Sequence, residues 1–133
     1  YYFRDFYYCD SGILAAILVL NVVSRMKKDG DSFSELLKQI SPYAFSGEMN
    51  FRIEEKQAAM EKLRETFTTD EQTTAFYDFD GYRIEFSDWW FNVRPSNTEP
   101  YLRLVAEARD QALLAEKLEA LKKVLSGFGE AEI

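Results

Sequence analysis

The stretch that decides the fold runs from Ala75 to Phe86 and reads AFYDFDGYRIEF. Two short runs rich in aromatic residues, AFYDF and YRIEF, are separated by Asp80-Gly81. An Asp-Gly pair supplies the positive φ that a two-residue hairpin connection needs, so the segment predicts two antiparallel strands. Alternation sorts the second strand by face, with Tyr82, Ile84 and Phe86 on one side and Arg83 and Glu85 on the other. One apolar face and one polar face predict a sheet covered on a single side.

Working outward, a Ser87-Asp88 turn leads to WWFNVR (89–94), a loop, and YLRLVAEA (101–108). Of Trp89 and Trp90, one is expected to be buried and the other to lie at a domain contact. Upstream, Phe51 and Ile53 alternate with Arg52 in a short strand. A helix starting at Glu54-Glu55 then sets Ala59, Met60, Leu63 and Phe67 on one face. Downstream, Asp110 caps a last helix with Leu114, Leu118, Leu121 and Leu125 at helical spacing, ended by Gly127. The order strand, helix, several antiparallel strands, helix predicts an α+β domain: an antiparallel sheet whose apolar face is covered by two helices.

Residues 1–41 read differently. Asp10-Ser11 offers an N-cap to a helix carrying Ile13, Leu14, Ile17, Leu18 and residues 21–23, nearly surrounded by apolar side chains and so expected to be buried on more than one side. Lys27 and Lys28 suit its C-terminus, and Gly30 its end. Ser32 with Glu35 has the capping-box pattern for a short helix turning Phe33, Leu36, Leu37 and Ile40 inward, stopped by Ser41-Pro42. The Pro, Gly and Ser of SPYAFSGEMN mark a hinge at 42–47 between this segment and a domain at 48–133. A start at Tyr1 rather than Met reads as the interior of a longer sequence, and the aromatic run Tyr1 to Tyr8 as packing surface.

Composition removes several function classes. The formal net charge of -7 disfavours nonspecific nucleic-acid binding, which needs a basic face. With no histidine and a single cysteine, Cys9, there is no Ser-His or Cys-His nucleophile pair and no zinc set. The lone thiol fits a reducing cytosol, hence a cytoplasmic protein. The longest apolar run, Ile13 to Leu20, is too short for a bilayer, where about 20 residues are needed, so no membrane partner is expected. Asp78, Asp80 and Asp88 are explained by turns, and no metal site is expected among them.

The loop between the two long strands reads RPSNTEP, Arg94 to Pro100. Ser96, Asn97 and Thr98 are consecutive small donors, the flanking prolines restrict the backbone, and a tight turn can aim successive amides at one anion. Arg94, with Arg103 just past the loop, adds the planar fork that fits phosphate oxygens. The same residues also suit an ordinary strand connection, with Arg94 and Arg103 solvated or paired to Glu99 and Glu107.

RPSNTEPYLRL resembles the phosphate-binding loop in the last domain of the α-D-phosphohexomutases, the phosphomannomutase/phosphoglucomutase family. YYFRDFYYCDSG resembles the family segment that follows its Gly-Glu-x-Ser-Gly-His sugar motif, and the DFDGYRIEF…WW hairpin sits where the family places one. SGEM (46–49) echoes that motif's letters but lacks its order and its histidine. The resemblance implies a four-domain enzyme, with residues 1–41 closing the third domain and 48–133 forming the fourth, similar in fold to the TATA-box-binding protein. It implies interconversion of hexose 1- and 6-phosphates through a bisphosphorylated intermediate. The phosphoserine and the Mg²⁺ this requires lie in other domains, so no catalytic residue, bound cofactor or isolated activity is expected here. The share implied for this chain is contact with the non-transferred phosphate through Arg94, Ser96, Asn97 and Thr98, with Arg103 supporting them or the domain contact. Its implied partners are mannose or glucose phosphate and the other three domains. NTEP favours this substrate class over phosphoglucosamine. The non-catalytic alternative is a protein-interaction module, and exposed Tyr, Phe and Ile also predict self-association.

Overall fold

Residues 2–30 and 32–132 are described in this computed structural model, which divides between Pro42 and Tyr43 into two units. In the first, β1 (Tyr2–Phe3) pairs antiparallel with β2 (Cys9–Asp10) around a 3₁₀ turn at Arg4–Phe6. Tyr7 and Tyr8, with φ of 53° and 54°, close that turn. Helix α1 (Gly12–Asp29) starts at Ser11, whose Oγ accepts a hydrogen bond from the Leu14 amide at 3.2 Å, and ends at Gly30 in the left-handed region. Helix α2 spans Phe33–Ile40.

Two expectations for this unit are corrected. No described residue of α1 or α2 is buried, and Ile13 and Leu20 are 77% and 64% exposed. A helix apolar all round is hidden only where other elements surround it, and the pattern does not supply those elements. The Ser32 capping box does not form: its Oγ bonds the Ser34 hydroxyl at 2.6 Å, and α2 starts on the Ser32 carbonyl, which accepts from the Glu35 and Leu36 amides. Of the aromatic run, Tyr2, Tyr7 and Tyr8 are exposed, and Tyr1 lies outside the described residues.

The second unit is built on β3 (Ala44–Phe45), β4 (Met49–Arg52), α3 (Lys56–Asp70), β5 (Ala75–Tyr77), β6 (Tyr82–Glu85), β7 (Trp89–Pro95), β8 (Tyr101–Ala108), α4 (Gln111–Leu125) and β9 (Glu130–Glu132). The strands form one antiparallel sheet in the order β5-β6-β7-β8-β4-β9, with β3 also paired to β8. This is the expected α+β architecture. Ile84 and Phe86 face inward with Trp89, Phe91, Val93, Leu102, Leu104, Ala106 and Ala108. They form one core with Ala59, Met60, Leu63 and Phe67 of α3 and Leu114, Leu121 and Leu125 of α4. Leu118 is only half-buried. Trp89 stacks on Phe86 at 4.4 Å, whereas Trp90 points to the opposite face, where its Nε1 donates to Glu107 at 3.0 Å.

In this unit two strands, β3 and β9, have no counterpart in the sequence reading, as β1 and β2 have none in the first. Within the expected hinge, Ala44 and Phe45 pair with Ala108 and Glu107. The Ser46 amide donates to the Ala106 carbonyl, and the Ala106 amide to Ser46 Oγ, each at 2.9 Å. Between these pairs and Met49↔Leu104 lie three residues on one strand, Ser46 to Glu48, but only Val105 and Ala106 on the other. The extra residue is a β-bulge, and it switches the inward–outward parity. Ala44 and Met49 can thus both pack on the core although they lie an odd number of positions apart.

Asp110 caps α4 as expected, its carboxylate accepting from the Leu113 amide at 2.9 Å. That backbone bond, helped by Arg109, holds the Asp110 carboxyl below its ordinary range. A group whose pKa is depressed by folding contributes stability above its unfolded pKa of about 4 and loses it as pH falls through the folded value. Asp110→Ala is therefore expected to melt at lower temperature at neutral pH. The difference from the parent chain should narrow as pH falls below about 4, the ordinary carboxylate value. A gap constant over that range would show that the charge takes no part.

Candidate functional site

Strands β7 and β8 lie in register, with Asn92 opposite Val105 and Arg94 opposite Arg103. Since Val93 and Leu102 point into the core, Arg94 and Arg103 stand side by side on the open face, at the foot of the loop 96–100. Like charges opposed across a strand pair repel, so the pair requires anions nearby. Arg94 Nη2 and Arg103 Nη1 both face the Glu48 carboxylate, at 3.5 and 3.6 Å. Arg94 Nη1 faces Asp80 at 3.6 Å, and Arg103 Nη2 faces Glu99 at 3.5 Å. All of these side chains are partly exposed, and such pairs contribute at most about 1 kcal/mol each. Glu99 is thus a partner of Arg103, as the plainer reading allowed, whereas Glu107 is taken by Trp90.

The loop is fixed from beneath. Pro95 ends β7 opposite Leu102, and the Ser96 amide donates to the Tyr101 carbonyl at 2.8 Å. The Ser96 amide is therefore spent in closing the loop and does not belong to an anion nest. Asn97 and Thr98 have no hydrogen-bond partner among the described residues. Lys56, at the start of α3, donates Nζ to the Ser96 carbonyl at 2.8 Å and to the Glu99 carbonyl at 2.6 Å, and the Ile53 amide donates to Pro100. These carbonyls are drawn toward α3, leaving the short side chains of the loop on the other side. Neither Lys56 nor Glu48 stood out in the sequence, because each meets the site from about forty residues away or more.

Arg94, Ser96, Asn97, Thr98 and Arg103 line a single cleft of ≈ 390 Å³, together with Pro95, Phe79, Asp80 and Gly81. The structure thereby brings all five sequence-predicted residues to one place. A water molecule occupies about 30 Å³ in the liquid, so the cleft has room for a tetrahedral oxyanion and part of what carries it. Gly81 forms its wall. It has φ +76°, and a Cβ there would lie 2.2 Å from the Val93 carbonyl oxygen and 2.7 Å from Arg94 Cα.

Among the described residues, no group of three or more His, Cys, Asp and Glu side chains stands close enough to hold a metal ion. Asp80 faces Arg94 and Asp88 faces Arg109 at 3.2 Å. The site is thus an arrangement of two cationic forks, small polar side chains and paired carboxylates at a turn, suited to holding an anion.

Known proteins agree on where such a chain comes from. The family model described as "Phosphoglucomutase/phosphomannomutase, C-terminal domain" matches residues 48–124. The phosphomannomutase of Methanocaldococcus jannaschii is 39% identical over 126 residues, which cover 95% of this chain and 26% of that protein. The phosphomannomutase of Salmonella typhimurium is 39% identical over 117 residues, 87% of this chain and 25% of that protein. A crystal structure of a phosphoglucomutase/phosphomannomutase family protein from Burkholderia thailandensis superposes with a TM-score of 0.66 at 26% identity, covering 95% of this chain and 26% of that one. The chain spans about a quarter of the length of the relatives it matches.

Proposed function

Because the chain belongs to the phosphoglucomutase/phosphomannomutase family and contains its C-terminal domain, we propose that it holds the non-transferred phosphate of a hexose phosphate while the rest of the enzyme moves a phosphoryl group between the sugar's 1- and 6-positions. The observation that carries this reading is the convergence of Arg94, Ser96, Asn97, Thr98 and Arg103 on one cleft. Binding at the far end of the substrate fixes which hydroxyl meets the phosphoryl donor, and orientation of that kind lowers the barrier. A clamp of arginine forks and small donors grips phosphate without regard to the sugar's direction, as a bisphosphorylated intermediate that must turn round requires.

In this proposal the substrate is mannose or glucose phosphate. In this reading the phosphoserine and the Mg²⁺ lie in the other three domains. The metal would supply charge neutralisation at the transferring phosphoryl group. On the same reading, residues 1–41 belong with the preceding domain and the join lies near Pro42, ahead of β3. The exposed Tyr, Phe and Ile side chains would drive self-association of the isolated chain. A cytoplasmic setting suits a sugar phosphate and the lone Cys9; no helix among the described residues is long and apolar enough to cross a membrane.

Titration of the chain with glucose 1-phosphate, followed by NMR amide shifts, tests this. Saturable shifts centred on residues 94–103, with smaller ones at Glu48 and at the lining residues 79–81, are expected, with a Kd of about 1 mM. Arg94→Ala should weaken binding about ten- to hundredfold, the scale of one charge-assisted hydrogen bond. Shifts that survive unchanged in the variant would sink the reading.

A further inference from the structure

We propose that Glu48 is a built-in competitor for the phosphate site, holding Arg94 and Arg103 together until a phosphate oxygen takes its place. The inference rests on reading the loop as a phosphate site and adds how that site selects its ligand. Each of the four terminal nitrogens of the two guanidinium groups faces a carboxylate: two face Glu48, one Asp80 and one Glu99. An incoming anion must therefore exchange with a resident carboxylate. Of the described carboxylates, only Glu48 reaches both arginines.

Its place there is set by the backbone. The bulge at 46–48 reverses the parity of the strand, so that Glu48, directly before the core-packed Met49, faces outward where Arg94 and Arg103 also lie. Contacts of 3.5 and 3.6 Å are longer than the 2.7–2.9 Å or so of a strong charge-assisted bond, which makes the carboxylate easy to displace. The two arginines face three carboxylates, Glu48, Asp80 and Glu99, and with the Lys56 ammonium on the loop carbonyls the local charges balance. Such a ring attracts no anion from a distance. It favours a ligand with two charges and several oxygens, able to replace the bridge between both arginines at once, over a monoanion that can replace only one contact.

The test compares the chain with its Glu48→Gln form, titrated with inorganic phosphate at near-neutral pH and low salt and read by NMR amide shifts. Loss of one negative charge a few ångströms from a dianion in water should tighten binding roughly tenfold. The gain should shrink in about 0.5 M salt, where the screening length falls to a few ångströms. Asp80→Asn, which frees only one arginine nitrogen, should give a smaller gain. Glu48→Ala serves as the second variant and should move binding in the same direction if the glutamine form folds poorly. Binding that is equal or weaker in both folded Glu48 variants overturns the inference and makes Glu48 a support for the arginines. It leaves the phosphate-site reading standing, provided the parent chain binds. Absence of binding in every form overturns both.

Discussion

Phe91→Ala is expected to lower the free energy of unfolding by about 3–5 kcal/mol. Phe91 is fully buried at the centre of β7, with its ring 5.4 Å from Phe67 and 5.6 Å from Trp89. Phe67 meets it edge-on, so the lost interaction includes aromatic geometry as well as buried area. The neighbours are themselves pinned: Trp89 donates Nε1 to Glu71, and Glu71 is bonded in turn by Lys117. A cavity at position 91 therefore has little freedom to collapse. Against a total stability of about 5–15 kcal/mol, such a loss leaves a chain that is marginal at best. Urea unfolding followed by circular dichroism should show a much lower midpoint with an unchanged slope, and Phe91→Leu a smaller drop. A loss for Phe91→Ala below about 1 kcal/mol would contradict the single aromatic core described here.

Gly81→Val should cost a comparable amount, about 2–5 kcal/mol, by a different mechanism. At φ +76° a β-branched residue is strained whatever surrounds it. Its Cβ would also meet backbone, the Val93 carbonyl and Arg94 Cα, which cannot swing aside as a side chain could. The hairpin must then lift off β7 at the point where Arg94 is carried. The variant should accordingly lose phosphate binding as well as stability, under conditions where it is still folded. Stability loss with binding intact would show that the hairpin and the clamp are mechanically separate.

What could be read from the sequence was local. Asp80-Gly81 announced a hairpin, although the pairing of Tyr77 with Arg83 closes it over a turn longer than two residues in which only Gly81 takes a positive φ. The spacings of α3 and α4 named nearly every residue that packs on the sheet, because period and turn chemistry are written in neighbouring residues. β3 and β9 escaped for the opposite reason. They are two and three residues long and exist through pairing with partners far along the chain, Ala108 for Ala44 and Arg52 for Glu130. At Ser32 two short-range signals competed, and the hydroxyl of Ser34 took the bond that Glu35 was expected to complement. In α1 the apolar pattern stated that the helix can be buried and was silent about what covers it. At the site, the donors of the loop were legible as a string. Their convergence on Gly81, the clip from Lys56 and the bridge from Glu48 follow from strand register and a bulge, which no single stretch encodes.

The alternation of β7 leaves two adjacent tryptophans in different surroundings. Trp89 is sealed against Phe86, whereas Trp90 lies on the uncovered face with the Arg83 guanidinium carbon 3.9 Å above its ring. The chain thus carries two fluorophores with separate reporting duties. A dissolved quencher will reach the emission of Trp90 long before that of Trp89. The Trp89 signal records whether the domain is intact, and the Trp90 signal records what settles on the open face, so the two can be followed in one cuvette by selective quenching.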